Sequence, residues 1–358
     1  MAVGLDAVRY SAANARVRGL ASQLLSEEIW QALIAAEDLG ATLNILHTTV
    51  YADVAAELEA GGAVTLEDLE RHLHARAAQN IRRAMAFVSG ARRNLLQVWW
   101  QHFELENLKA LFRGFDQGLP PDAIRHFLIP LDAASQLPWD ALLHTQSVAG
   151  LVDRLGNTHY GQPLRNALPS YRREQSLFAI EIALDIRYYR DLAAAINALG
   201  GADLEDARRI LGTRLDILNI LWAYRHRVYY RLSAEEIINY TLWHTFRTDT
   251  RLIRDIALGA APEDILERVW GRGTVDLSLL EQATTEAAMV TTLELILERF
   301  WWGLARSAMG GYPFRLGALL GYVVLQETEI VDLVTLLEAK TMRWDRERVC
   351  RHLVRCEE

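Results

Sequence analysis

The chain repeats itself. Three kinds of segment recur in the same order at a spacing of roughly 110 residues, far longer than an ordinary solenoid repeat. The first is a helix pair, clearest in "WQALIAAEDLGATLNILHTTVY" and "WDALLHTQSVAGLVDRLGNTHY". These align without a gap: Trp30 with Trp139, Leu33 with Leu142, Leu46 with Leu155, Thr49 with Thr158 and Tyr51 with Tyr160. An eroded third copy, "RLIRDIALGAAPEDILERVW", starts at Arg251. The second segment carries Glu70 and Leu73, then Glu181 and Leu184, then Glu294 and Leu297. The third is "FELENLKALFRGFDQGLPPDAIRHFL" from Phe103, with later copies at Leu215 and Glu327. Within it Glu104 and Asn107 align with Asp216 and Asn219, and then with Glu329 and Asp332.

Apolar residues recur at helical spacing, alternating β-branched runs are scarce, and Ala, Leu, Arg and Glu dominate, so the expected fold class is all-α. Each unit is long enough to be a helical subdomain, with units expected at 1–128, 129–242 and 243–358. The third segment keeps an i, i+3, i+7 apolar face in every copy: Leu105, Leu108, Phe112; Ile217, Ile220, Tyr224; Ile330, Leu333, Leu337. Such a face has to be covered by another helix. The helix that follows has a start signal each time. Pro120-Pro121-Asp122 presets a first turn, Ser233 with Glu236 forms a capping box, and Asp345 is a cap. Breaks fall at Gly61, "FDQGLPP", "GNTHYGQP", Gly200, Gly271 and Gly310. The repeat alone fits either a closed trefoil about a pseudo-threefold axis or a linear helical superhelix.

Composition excludes several function classes. A net charge of -8 spread along the chain, without clustered cations, argues against nucleic acid as partner. No segment approaches the roughly 20 apolar residues needed to cross a bilayer, and the N-terminus lacks an apolar signal core, so a soluble, unexported protein is expected. The two cysteines, Cys350 and Cys356, form no CxxC pair and no second cluster for a zinc site or a disulfide framework. They are expected in one terminal helix and in a reducing compartment.

A search for chemistry finds little. There is no GxxxxGK[ST] or GxGxxG loop to surround a phosphate, so direct nucleotide binding has no support. There is no HExxH or paired Glu-x-x-His for a metal, no GxSxG elbow, and no acidic motif for magnesium and pyrophosphate. His72 and His74 are two apart on a helix and diverge too far to share an ion. No catalytic residue, cofactor or metal ligand is assigned. The doublets Trp99-Trp100, Tyr188-Tyr189, Tyr229-Tyr230 and Trp301-Trp302 are expected mainly to fill seams between helices, with partner binding as the other reading. Glu104, Asn107, Asp216, Asn219, Glu329 and Asp332 mark polar positions that persist in all three units, and are expected to tie helices together or to cap loop backbone.

"FELENLKALFRG", "EIALDIRYYRDL" and "PFRLGALLGYVVLQETEIVDLVTLLEAK" resemble the E-x-x-N-L, L-D-x-x-Y-Y and P-x-x-x-G-x-x-x-G-Y-x-x-x-x-E-x-E-I segments of the V-type/A-type ATPase C-subunit family, whose eukaryotic member is the V-ATPase d subunit. "SAANARVRGLASQLL" is similar to that family's N-terminal arginine segment, and the resemblance runs from Tyr10 to Val354. It implies three helical units around a pseudo-threefold axis, forming a funnel. It also implies a non-catalytic central-stalk component that receives the shaft and sits on the membrane proteolipid ring, peripheral at the cytoplasmic face. The chain departs from the family pattern where Asp332, Leu333 and Val334 replace the usual Asn-Leu-Arg. Glu338 stands where the earlier copies have Arg113 and Arg225. A free-standing helical scaffold, or a helical enzyme using a central cavity, are the alternatives.

Overall fold

The structure is a computed structural model. It describes residues 2–59, 65–131, 135–243 and 245–356, with side chains from residue 10 onward. Among the described residues it contains helices and turns and no strand. Of the described α-helices, eight precede residue 129: α1 (Ala2–Ala21), α2 (Glu27–Ala35), α3 (Leu39–Leu46), α4 (Ala52–Glu59), α5 (Leu66–Met85), α6 (Gly90–Trp100), α7 (His102–Asp116) and α8 (Pro121–Phe127). Seven follow before residue 243: α9 (Trp139–Leu143), α10 (Val148–Arg154), α11 (Gly161–Glu174), α12 (Phe178–Asn197), α13 (Gly201–Ala207), α14 (Thr213–Val228) and α15 (Ala234–Asn239). The last stretch has α16 (Thr250–Ala257), α17 (Pro262–Trp270), α18 (Glu286–Gly310), α19 (Leu316–Thr341) and α20 (Arg346–Cys350). The break expected at Gly61 lies outside the described residues.

The aligned residues adopt the same local geometry. Thr49 Oγ1 donates to Leu46 O at 2.7 Å and accepts from Tyr51 N at 3.1 Å. Thr158 Oγ1 donates to Leu155 O at 2.7 Å and accepts from Tyr160 N at 3.2 Å. All nine stripe residues of the third segment are buried. The start signals also form: Pro121 opens α8, Ser233 and Glu236 make a reciprocal box, and Asp345 accepts from Arg348 N. Each satisfies backbone N–H groups that the first helical turn leaves free, or removes one with proline.

The chain enters the third segment differently in each copy. It breaks at Gln101 between α6 and α7, carries a π-helical turn over Arg208–Gly212 between α13 and α14, and runs unbroken through α19. In α19 the G-x-x-x-G pair provides close approach. A Cβ on Gly321 would come within 2.6 Å of Ala305 O, and one on Gly317 within 3.1 Å of the Asp206 carboxylate. Any side chain at Gly321 would push α18 and α19 apart.

Packing between the helices follows the order of the segments. α7 lies on α12, α14 on α18, and α19 on α5, so the third-segment helix of each sequence unit meets the second-segment helix of the next, and the last returns to the first. A continuous core runs beneath all of these contacts. Three aromatic doublets are enclosed in it or against it: Trp99 and Trp301 lie 6.1 Å apart, and Tyr188 Oη donates to Trp99 O at 3.2 Å. Tyr229 and Tyr230 differ from the other doublets, each about half exposed.

The cysteines require a correction. α20 ends at Cys350, the chain turns, and Cys356 is bonded back to Cys350 in a disulfide with the Cα atoms 5.2 Å apart. The expected single helix does not reach Cys356. Arg299 Nη2 donates to the carbonyls of Cys350 and Leu353, which holds the turn that brings the sulfurs together.

Candidate functional site

The six repeated polar residues are buried, and each bonds a loop far along the chain. Asn107 accepts from Ile129 N at 2.7 Å and donates to Ile129 O at 2.9 Å. Asn219 repeats this with Leu242, at 2.8 and 3.2 Å, and also donates to Thr248 Oγ1. An amide suits this task because it presents one acceptor and one donor to a single extended residue. Asp332 has no donor. Its oxygens take Val354 N at 2.8 Å, and Arg355 N and Nε at 3.2 Å each. The loop therefore changes its bonding with the residue that holds it, and the Arg355 guanidinium is part of the exchange.

The acids reach the start of the next first segment. Glu104 accepts from Ser135 Oγ at 2.5 Å, and Ser135 Oγ in turn accepts from Trp139 Nε1 at 2.9 Å. Asp216 Oδ1 accepts from the N–H groups of Phe246, Arg247 and Thr248, at 2.8 to 3.1 Å, and from the Thr248 hydroxyl. Glu329 accepts from Leu25 N at 2.9 Å and Tyr51 Oη at 2.8 Å, which joins the last unit to the first. Burial pushes all of these acids, and Asp332, above the ordinary carboxylate range, although the hydrogen bonds oppose the rise. Each of the six bonds backbone, a hydroxyl or, for Asp332, also the Arg355 guanidinium, while Asp216 Oδ2 is buried without a hydrogen-bond partner among the described residues.

The six residues do not line the open space that all three sequence units share. A cavity of about 370 Å³ is walled by His102 and Glu106 of α7, Tyr188 and Tyr189 of α12, Arg214 of α14, Glu294, Glu298 and Trp301 of α18, and Glu327 of α19. Sequence reasoning missed its principal charged residues. The signal was present: His102, Arg214 and Glu327 each lie two positions before the repeated acid, so one register position delivers a different polar group from each copy. Burial pushes His102 down to about 4. It pushes Glu327 up to about 8, against the lowering effects of Trp99 Nε1, which donates to it at 2.8 Å, and of Arg214. Arg214 is paired with Glu298. The wall thus combines aromatic faces with an acid-rich set of side chains.

No group of three or more His, Cys, Asp or Glu among the described residues is placed to hold a metal. His72 turns to Glu57 and His74 to Glu70. No described helix is long and apolar enough to cross a membrane.

The family model of the ATP synthase (C/AC39) subunit matches residues 13–351. The chain belongs to that family. The C subunit of the A-type ATP synthase from Methanocaldococcus jannaschii is 24% identical over 343 residues, covering 94% of this chain and 84% of the relative. Its namesake from Halobacterium salinarum is 24% identical over 330 residues, covering 90% and 91%. The C subunit of the V-type ATP synthase from Deinococcus radiodurans is 29% identical over 222 residues, covering 61% and 60%.

Within this family member, the departures noted in the sequence fall at one seam. Across α7 and α12, Arg113 pairs with Glu181 at 2.6 Å and Lys109 with Asp185 at 2.7 Å. Across α14 and α18, Arg225 pairs with Glu294 at 2.5 Å. Between α19 and α5 the corresponding positions hold Val334 and Glu338 on one side, and His74 and Glu70 on the other. Neither pair can be repeated there. Lys340 works at the same seam in a different way, buried and donating to Ile34 O at 2.9 Å and Ala36 O at 2.5 Å.

Proposed function

We propose that this chain is a non-catalytic rotor component of an A/V-type rotary ATPase or ATP synthase, a socket that joins the central shaft to the proteolipid ring and passes torque between them. Its three units, 1–128, 129–242 and 243–358, are arranged about a pseudo-threefold axis as a funnel, and the shaft enters the shared hollow. The chain works at the cytoplasmic face of the membrane as a peripheral member of the complex, and binds neither nucleotide nor nucleic acid itself. The observation that carries this reading is the cavity walled by the long helices of all three sequence units, in a chain whose second- and third-segment helices contact one another in cyclic order. Transmitting torque asks for a stiff body, and close-packed helices tied across units by buried hydrogen bonds supply one. The six repeated residues hold the units together and perform no chemistry.

The test is affinity purification of the tagged chain from gently solubilised membranes, with identification of every stoichiometric partner. The expected set contains the shaft proteins and the proteolipid. Retention of neither shaft proteins nor proteolipid by the tagged chain, while an intact rotary ATPase lacking the chain is purified from the same membranes, overturns the proposal. A soluble complex without proteolipid would instead indicate a free-standing scaffold.

A further inference from the structure

In two copies of the third segment, an asparagine amide holds the returning loop by both N–H and C=O of one residue: Ile129 for Asn107 and Leu242 for Asn219. In the third copy Asp332 holds N–H groups alone, so it offers the carbonyl of Val354 no donor. This is also the copy that contains both cysteines of the chain. The disulfide closes the stretch 350–356 around the bonded residues, and Cys356 is buried whereas Cys350 is partly accessible. Inside the closed loop, Arg355 bonds Asp332, lies 3.7 Å from Glu329 and stacks 3.9 Å over the Trp30 ring. Trp30 belongs to α2, and Glu329 in turn holds Leu25 and Tyr51, so the loop is a strap from the last unit onto the first.

We propose that the Cys350–Cys356 disulfide is a redox-sensitive clasp on this strap, taking the place of the missing amide and keeping Arg355 against the two buried acids. A small dithiol opens it. One thiolate of the reductant attacks Cys350 Sγ, the S–S bond breaks, and Cys356 leaves as a thiolate that takes up a proton. The second thiol of the reductant then displaces Cys350 from the mixed disulfide, so the reductant loses two electrons and becomes a disulfide while Cys350 becomes a thiol. A low-molecular-weight disulfide reverses the sequence. With the clasp open, the strap loses its loop constraint, Arg355 leaves the buried acids more often, and the seam between α19 and the first unit loosens.

The experiment uses the full chain, purified without reductant and treated with oxidised glutathione, then divided and exposed or not to dithiothreitol. Alkylation with iodoacetamide followed by intact mass is expected to add no group to the oxidised protein and two to the reduced one. Tryptic cleavage after Arg355 under native conditions, read by mass after a final reduction of both samples, is expected to accelerate at least tenfold when the bond is open. The Cys350→Ser/Cys356→Ser variant is expected to match the reduced rate and to ignore the reductant. Two alkylatable thiols in the oxidised sample overturn the proposal. So does a cleavage rate unchanged when the bond is quantitatively opened. If the double variant does not fold, the dithiothreitol titration of the unsubstituted chain still decides the matter.

Discussion

The first two seams and the third solve the same packing problem with different chemistry. α7 on α12 and α14 on α18 use ion pairs at the repeat positions, and the outermost are open to water: Arg113 is 54% exposed and its partner Glu181 27%. α19 and the first unit instead share buried groups: Glu329 on Leu25 and Tyr51, Lys340 on two carbonyls of α2 and its end, and Arg355 between two buried acids and Trp30. Solvated pairs are individually weak because water already satisfies both ions, whereas a buried charge that loses its partner cannot be rehydrated without opening the structure. Glu338 in place of an arginine therefore removes only an outer pair from the third seam, whose charged contacts lie inside; the first two seams keep shielded pairs of their own, Lys109–Asp185 and Arg214–Glu298, beside the exposed ones.

That comparison can be broken by mutation. The largest effect is expected from Arg355→Ala, which leaves Asp332 and Glu329 buried without their cation; a loss of about 3 kcal/mol in urea unfolding is the expected outcome. Next comes Lys340→Met, which preserves volume but strands the carbonyls of Ile34 and Ala36, for about 2 kcal/mol by the same measurement. Set apart by its dependence on pH is the contribution of Glu327 in the cavity wall. Its folded value of about 8 lies above the unfolded 4.5, so the folded state holds the proton more tightly. Stability is therefore expected to fall as pH rises from 4.5 through 8, and Glu327→Gln to flatten that decline. Thermal unfolding of both proteins across that range checks it, and parallel curves would remove Glu327 from the account. The smallest effect belongs to Arg113→Ala at the exposed pair, below about 1 kcal/mol. If Arg113→Ala proves as damaging as Arg355→Ala, the distinction between the seams fails.

Much of this was readable along the chain because it depends on local spacing. The apolar stripe of Leu105, Leu108 and Phe112 and its two copies, the box at Ser233 and the cap at Asp345 rest on relations within one or two helical turns. So does the divergence of His72 and His74. The cavity was not legible, although its position in the repeat was, because His102, Arg214 and Glu327 share a register and no chemistry. The disulfide was misread because a six-residue spacing says nothing about whether the helix stops at the first cysteine or carries on to the second.

By itself, the sequence determined that the chain is helical, that it repeats, which faces must be covered and which polar residues recur, since helical periodicity and capping are properties of neighbouring residues. It did not determine which loop each buried acid or amide would hold. Asn107 and Ile129 are 22 residues apart, and Glu329 and Leu25 lie 304 apart. Such partners are chosen only when packing removes water from both and leaves each as the nearest group able to replace it. Only in the folded chain does the last stretch reach back to the first, through Glu329 on Leu25 and Tyr51, Lys340 on Ile34 and Ala36, and Arg355 over Trp30.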